Sequence, residues 1–254
     1  MGLDESKRPS PASALGAYVS VPFCRAKCSF CNFASGVSSP DAIEAYVTKL
    51  CHEIAAAPIT AAHLQADLPL TVDTVYLGGG TPTILDISQL ERLFVTIWQN
   101  FDIQCDAEIT VECAPGTLTP AVIELFRRHG VNRISLGVQS FVDQEAASVG
   151  RLHNRATVLD DIARLRDAGI TNLNLDLIAG LPHQAEGSWE FSVDQVVATQ
   201  QCLPQRLGGV DASGQPARHA DHGNRSDPRL IHAAPHVFEP VLCRRTLRRH
   251  TRPR

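Results

Sequence analysis

No run of 18 or more apolar residues occurs in the 254-residue sequence, so no membrane-spanning helix is expected. The opening residues, MGLDESKRPSPASALG, lack the basic-then-apolar order of a secretory signal. Export is therefore not expected, and the cytoplasm is the expected location. The net charge of -4 gives no reason to expect a nucleic-acid partner. Eight cysteines are too few and too scattered for a disulfide scaffold at this length. Five of them (Cys51, Cys105, Cys113, Cys202 and Cys243) stand alone, whereas Cys24, Cys28 and Cys31 form a cluster. Clustered thiols in a reducing compartment point to metal or redox chemistry.

The ends of the chain differ from its middle. Residues 1–16 are polar and rich in Ser and Pro, and read as a disordered extension. Residues 204–254 carry ten arginines against four acids, giving +6 and leaving -10 for residues 1–203. No helical or strand period is sustained there, so this stretch reads as a disordered basic tail. It contains Phe238 as its single aromatic, which argues against a surface that stacks single-stranded bases.

Residues 17–203 alternate strand-like and helix-like segments. Strands are expected at 17–23, 74–77, 108–112, 133–139 and 172–178. Ser39-Pro40 and Thr119-Pro120 read as helix starts, each a cap followed by proline at the first helical position. Ser88 with Glu91 reads as a capping box, and Thr157 with Asp160 as another helix start. Gly130 and Gly169 close helices, and a last helix is expected near 187–200. Regular β-then-α order with short connections implies a parallel sheet.

The strands alternate instead of being apolar throughout. Leu173, Leu175 and Leu177 oppose Asn172, Asn174 and Asp176; Ile134, Leu136 and Val138 oppose Ser135, Gly137 and Gln139. The apolar face suits helices. The polar face cannot line a dry core, because unpaired buried polar groups cost kcal/mol each. A hollow α/β barrel explains the pattern better than an open sheet. The unusual residues fall at the carboxyl ends of the strands, where barrels of this kind place their sites. These are the cysteine loop, Gly78-Gly79-Gly80, Glu112, Gln139 and Asp176, with Arg151 and His153 in the loop after strand four.

The cysteine spacing is C-x3-C-x2-C. Soft thiolates select zinc, Cu(I) or an iron–sulfur cluster. Structural zinc needs a fourth ligand, and no second cysteine pair exists, so the spacing favours a cluster with three protein thiolates.

Six segments in order, YVSVPFCRAKCSFCNF, LGGGTPT, VECAPGT, ISLGVQSF, GRLHNR and NLDLIAGLPHQ, span roughly residues 17–203. Together they resemble the oxygen-independent coproporphyrinogen III oxidase-like branch of the radical S-adenosylmethionine proteins, and within it the haem chaperones. The resemblance implies an α/β fold, a partial (β/α)6 barrel, here incomplete at its C-terminal edge. It implies a 4Fe-4S cluster on Cys24, Cys28 and Cys31, with S-adenosylmethionine on the fourth iron. By position, Tyr18 and Phe30 would flank cluster and cofactor. Gly79, Gly80 and Thr81 would hold the methionyl amino end, and Glu112, Gln139, Arg151 and Asp176 would complete the cofactor site. Haem or a porphyrin would be the ligand, with a haem-accepting protein as partner. His153 and His183 are the rim histidines available to it.

Three departures bear on function. Phe33 stands where the decarboxylating oxidases resemble C-x3-C-x2-C-x-C, which favours the chaperone reading. Ser20 stands where many relatives have histidine. The match stops near Leu203, as in a C-terminally truncated chain whose tail resembles an out-of-frame translation. The alternatives are a porphyrinogen-decarboxylating oxidase and an inactive fragment.

Overall fold

A computed structural model of the chain describes residues 15–201. Five strands form one sheet: β1 (Leu15–Val21), β2 (Thr71–Gly79), β3 (Asp102–Cys113), β4 (Arg133–Gln139) and β5 (Asn172–Leu177). They lie in sequence order, and every neighbouring pair is parallel. Helices alternate with them: α1 (Pro40–His63), α2 (Ile87–Asn100), α3 (Pro120–Arg128), α4 (Asp143–Ser148), α5 (Arg155–Asp167) and α6 (Glu186–Gln201). This is the expected α/β partial barrel, with five parallel strands among the described residues. The expected basic tail, 204–254, lies outside them, as do residues 1–14. Leu15 and Gly16, assigned from sequence to the extension, open β1 instead, because they pair with Val72 and Thr74 of β2.

Local chemistry sets the helix starts. Ser39 Oγ accepts from Ala42 N at 3.3 Å, and Thr119 Oγ1 accepts from Val122 N at 3.3 Å; in both cases proline follows the cap. Two expected starts move. The α2 box is formed by Asp86 and Gln89: the carboxylate accepts from Gln89 N at 2.8 Å, and Gln89 Oε1 accepts from Asp86 N at 3.1 Å. Ser88 instead donates to Asp86 at 2.7 Å, and Glu91 pairs with Arg128 at 2.8 Å. A carboxylate accepts amide hydrogens more strongly than a hydroxyl, and so Asp86 takes the cap. For α5 the cap is Asn154, whose Oδ1 accepts from Thr157 N at 2.9 Å. Helix α4, six residues long, shows no period that could reveal it in the sequence.

The alternation predicted for the strands divides the sheet into two faces. Val75, Leu77, Val111, Ile134, Leu136 and Val138 pack with Val47, Leu90, Phe94, Leu125, Val158 and Leu165 of the helices in one buried cluster. Phe94 is central to it. Its ring stacks on His129 at 4.9 Å and meets Trp98 and Phe126 edge-on at 5.6 and 6.3 Å. Phe94→Ala is expected to cost about 3–5 kcal/mol in a denaturant titration, through lost transfer energy and the cavity left behind.

The other face is polar and concave. Thr110 and Ser135 are buried there, whereas Tyr18 is 61% exposed at the β1 end. Parallel register aligns Tyr18, Tyr76, Thr110, Arg133 and Asn172 as one layer. Glu112, Ser135 and Asn174 lie one layer nearer the carboxyl ends.

Candidate metal centre

The three clustered cysteines lie in the loop that leaves β1. Its base is closed by Cys24 N donating to Gly36 O at 2.9 Å and Gly36 N to Pro22 O at 3.1 Å. The glycine segment supports it from below. Gly80 N donates to Val21 O at 3.0 Å and Thr81 N to Phe23 O at 2.7 Å. A Cβ at Gly80 would lie 2.6 Å from Phe23 O and 2.7 Å from Val21 O, so a glycine is required for this approach. From the other side, Ser29 N donates to Val149 O at 3.2 Å, docking the loop on the segment that precedes Gly150 and Arg151.

Each thiol has its own polar neighbour. Thr81 Oγ1 is 3.7 Å from Cys24 Sγ, Arg151 Nη1 is 3.5 Å from Cys28 Sγ, and Lys27 Nζ is 3.8 Å from Cys31 Sγ. All three cysteines are half-buried and free of disulfides. Soft cysteine sulfurs of this kind suit an iron–sulfur cluster. Cys113 also borders the cavity, but burial pushes its thiol well above the usual range, so it stays protonated. Among the described residues, no three His, Cys, Asp or Glu side chains converge on one point suited to a single ion. A cubane asks for something different, since each thiolate binds its own iron and the sulfurs stay apart.

A cavity of about 390 Å³ opens beside the loop. Phe30, Gly79, Gly80, Thr81, Glu112, Gln139, Arg151 and Asp176, all singled out from the sequence, line it together with the three cysteines. Tyr18 does not. It stands one layer below, stacked on Tyr76 at 5.7 Å, with its hydroxyl beside Gly79, where an added Cβ would lie 3.3 Å from Tyr18 Oη. Of the two rim histidines, His153 lines the cavity; His183 is exposed and does not.

The polar groups of the wall are already oriented. Glu112 accepts from Tyr76 Oη at 2.7 Å and from Gly79 N at 2.9 Å. Burial, and donation to Glu112, push the Tyr76 phenol well above its ordinary range, which keeps it a donor. Gly79 sits at φ +96, and Gly78 leaves the room that Glu112 fills, since a Cβ there would lie 2.8 Å from the carboxyl carbon. The N–H groups of Gly79, Gly80 and Thr81 are thus all used within the protein. Toward a ligand's ammonium, the group the resemblance assigns to this corner, it offers acceptors, the Glu112 carboxylate first. Asp176 accepts from Ser135 Oγ at 3.0 Å and Asn174 Nδ2 at 2.6 Å. Gln139 ends β4 at φ +70 and is held by Ile178 N, which donates to its carbonyl at 3.0 Å.

Arg151 is left incomplete. Nη2 donates to Gly137 O at 2.5 Å, but Nε is buried without a partner among the described residues. A buried unsatisfied donor costs about 1–3 kcal/mol, and the guanidinium that carries it lines the cavity, where a carboxylate is its natural partner. The donor set therefore fits both groups that the sequence implied: soft thiolates with nearby cations for a cluster, and an arginine opposite acidic acceptors for an amino acid moiety.

His153 Nε2 lies 3.1 Å from Val138 O. Burial, aided by the Arg151 charge, lowers its pKa to about 4. The folded chain thus resists a proton that the unfolded chain accepts near pH 6.5. Stability from this residue is present above pH 6.5 and lost as pH falls toward 4. Discounted for partial exposure, the loss is about 1–2 kcal/mol. Unfolding midpoints of the chain and of His153→Gln, measured from pH 7 to 4, are expected to converge at the acid end.

Comparison with known proteins agrees with this geometry. Residues 18–196 match the family model for the radical SAM superfamily. The chain is 39% identical to the heme chaperone HemW of Lactococcus lactis over 66% of its own length and 42% of that protein. It is equally 39% identical to the oxygen-independent coproporphyrinogen III oxidase of Bradyrhizobium diazoefficiens, over 72% of its length and 40% of that protein. Among solved structures, coproporphyrinogen III oxidase (HemN) from Escherichia coli, described as a radical SAM enzyme, superimposes with a TM-score of 0.63 at 31% identity. That match covers 73% of this chain and 42% of the other. The chain thus spans about two fifths of the length of these relatives.

Proposed function

The chain belongs to the radical SAM superfamily, and from that premise we propose that it handles haem, as the relatives called heme chaperones do. In this reading Cys24, Cys28 and Cys31 hold the 4Fe-4S cluster. Glu112, with the carbonyl side of Gly79, Gly80 and Thr81, receives the ammonium of S-adenosylmethionine, and Arg151 its carboxylate. Gln139 and Asp176 face the remainder of the cofactor, Phe30 excludes water from the cluster side, and Tyr18 flanks the glycine corner beside Gly79. When bound, the cluster supplies one electron to S-adenosylmethionine, the source of the family's radical chemistry. The residues themselves bind, orient and shield. We place the chain in the cytoplasm, where thiols stay reduced; no helix of the described residues is long and apolar enough to cross a membrane.

The observation that carries this reading is the convergence of six separate sequence segments on one cavity. Phe33, exposed on the cavity wall, favours the chaperone over the oxidase, because the resemblance puts a cysteine there in the oxidases. His153 is the wall histidine available to haem iron. Titration of the cluster-reconstituted chain with ferric haem, followed by absorbance, tests the reading. A saturable Soret shift at one haem per chain is the expected result. No saturable binding, together with conversion of coproporphyrinogen to protoporphyrinogen, would put the oxidase reading in its place. Absence of both, with a non-cooperative thermal transition, would leave the inactive fragment.

A further inference from the structure

Lys27 lies inside the cysteine motif and is exposed, yet its side chain does not extend into water. Its ammonium donates to Phe33 O at 2.7 Å and to Ser35 O at 2.9 Å, and stands 3.8 Å from Cys31 Sγ. Folding a lysine back onto its own loop costs up to ~2 kcal/mol in side-chain entropy, so these contacts must outweigh that cost. An ammonium has three N–H donors, and here three acceptors surround it. The two carbonyls fix the turn that follows Cys31, and Ser35 Oγ approaches the same sulfur at 3.8 Å.

The loop that carries this thiol has charge of one sign only. No Asp or Glu occurs between Cys24 and Ser39. Arg25 lies in the same loop, and Arg151 is engaged by Cys28 and Gly137. The acids of the wall, Glu112 and Asp176, are turned to Tyr76, Gly79, Ser135 and Asn174. A positive charge beside a thiolate of a redox cluster stabilises the reduced, more negative state.

We propose that Lys27 is a positioning residue for the cluster: it closes the 31–35 turn through two backbone carbonyls and holds a positive charge beside Cys31, making the cluster easier to reduce. This rests on the reading of the three cysteines as cluster ligands.

The test uses the full chain and its K27R and K27Q variants, reconstituted anaerobically with iron and sulfide. Iron per chain is measured, followed by potentiometric EPR titration without S-adenosylmethionine at low and high ionic strength. K27R should keep the wild-type midpoint. K27Q should bind iron but reduce less readily, its reduced-to-oxidised ratio at the wild-type midpoint falling roughly three- to tenfold, where tenfold is 59 mV for one electron. The difference should shrink at high salt, since the charge is exposed. A K27Q midpoint equal to wild type overturns the inference, as does a K27R midpoint displaced as far as that of K27Q. Should K27Q take up no iron, the wild-type midpoint decides: a fall with rising salt supports the inference, and indifference to salt overturns it. A wild-type chain that takes up no cluster overturns the cysteine reading and this inference with it.

Discussion

Gly80→Ala unseats the cysteine loop. The added methyl would lie 2.6 Å from Phe23 O, 2.7 Å from Val21 O and 2.8 Å from Phe23 N, all backbone atoms that no rotamer change can move aside. Relief requires β1 and the glycine segment to part, which lengthens the bonds from Gly80 N to Val21 O and from Thr81 N to Phe23 O. Overpacking of this kind costs about 1–3 kcal/mol, here at the upper end because backbone hydrogen bonds are lost as well. At roughly 2–4 °C per kcal/mol, Tm should fall by about 6–12 °C. Iron uptake on reconstitution should fall with it, since Cys24 directly follows the displaced residues. Gly36→Ala, in the same loop with nothing within 4 Å of its would-be Cβ, is the control and should stay within about 0.5 kcal/mol of wild type. Equal behaviour of the two variants would contradict the role given to Gly80.

Arg151→Gln is expected to retain the cluster and lose the cofactor. The guanidinium bridges Gly137 O and Cys28 Sγ and keeps Nε buried and unpartnered. One charge-assisted hydrogen bond to a carboxylate contributes about 1.5–3 kcal/mol, so the variant should bind S-adenosylmethionine roughly 10- to 100-fold more weakly. Arg151→Lys should rescue little, because a point charge cannot reproduce a planar fork held at two other contacts. Calorimetric titration of the reconstituted variants, with iron content as the loading control, measures this directly. Unchanged affinity in Arg151→Gln would remove Arg151 from the cofactor site.

Much of this architecture was legible because period-two alternation survives in strands with one polar face. Residues 133–139 were read at their observed limits, and the Ser39-Pro40 and Thr119-Pro120 starts hold. The capping box moved because Asp86 and Ser88 competed for one helix end, and only three-dimensional geometry shows the carboxylate reaching Gln89 N. The resemblance sets Tyr18 beside the cofactor; its side chain borders the glycine corner at Gly79 and does not line the cavity, a layering that chain position alone does not reveal. Pairs that form across strands, such as Tyr76 with Glu112, or across a loop, such as Lys27 with Phe33 O, have no sequence period to announce them. The same holds for the glycine segment, where the amides of Gly80 and Thr81 donate to Val21 and Phe23, more than 50 residues earlier in the chain, and that of Gly79 to Glu112.

The central claim is that three cysteines of this chain hold a cluster beside a cofactor cavity. Anaerobic reconstitution with iron and sulfide, followed by EPR of the reduced chain with and without S-adenosylmethionine, tests it most directly. The account predicts a cubane signal that changes when the cofactor is added and vanishes in Cys28→Ala. Folded protein that shows no cluster signal, or a signal that persists in Cys28→Ala, would contradict it.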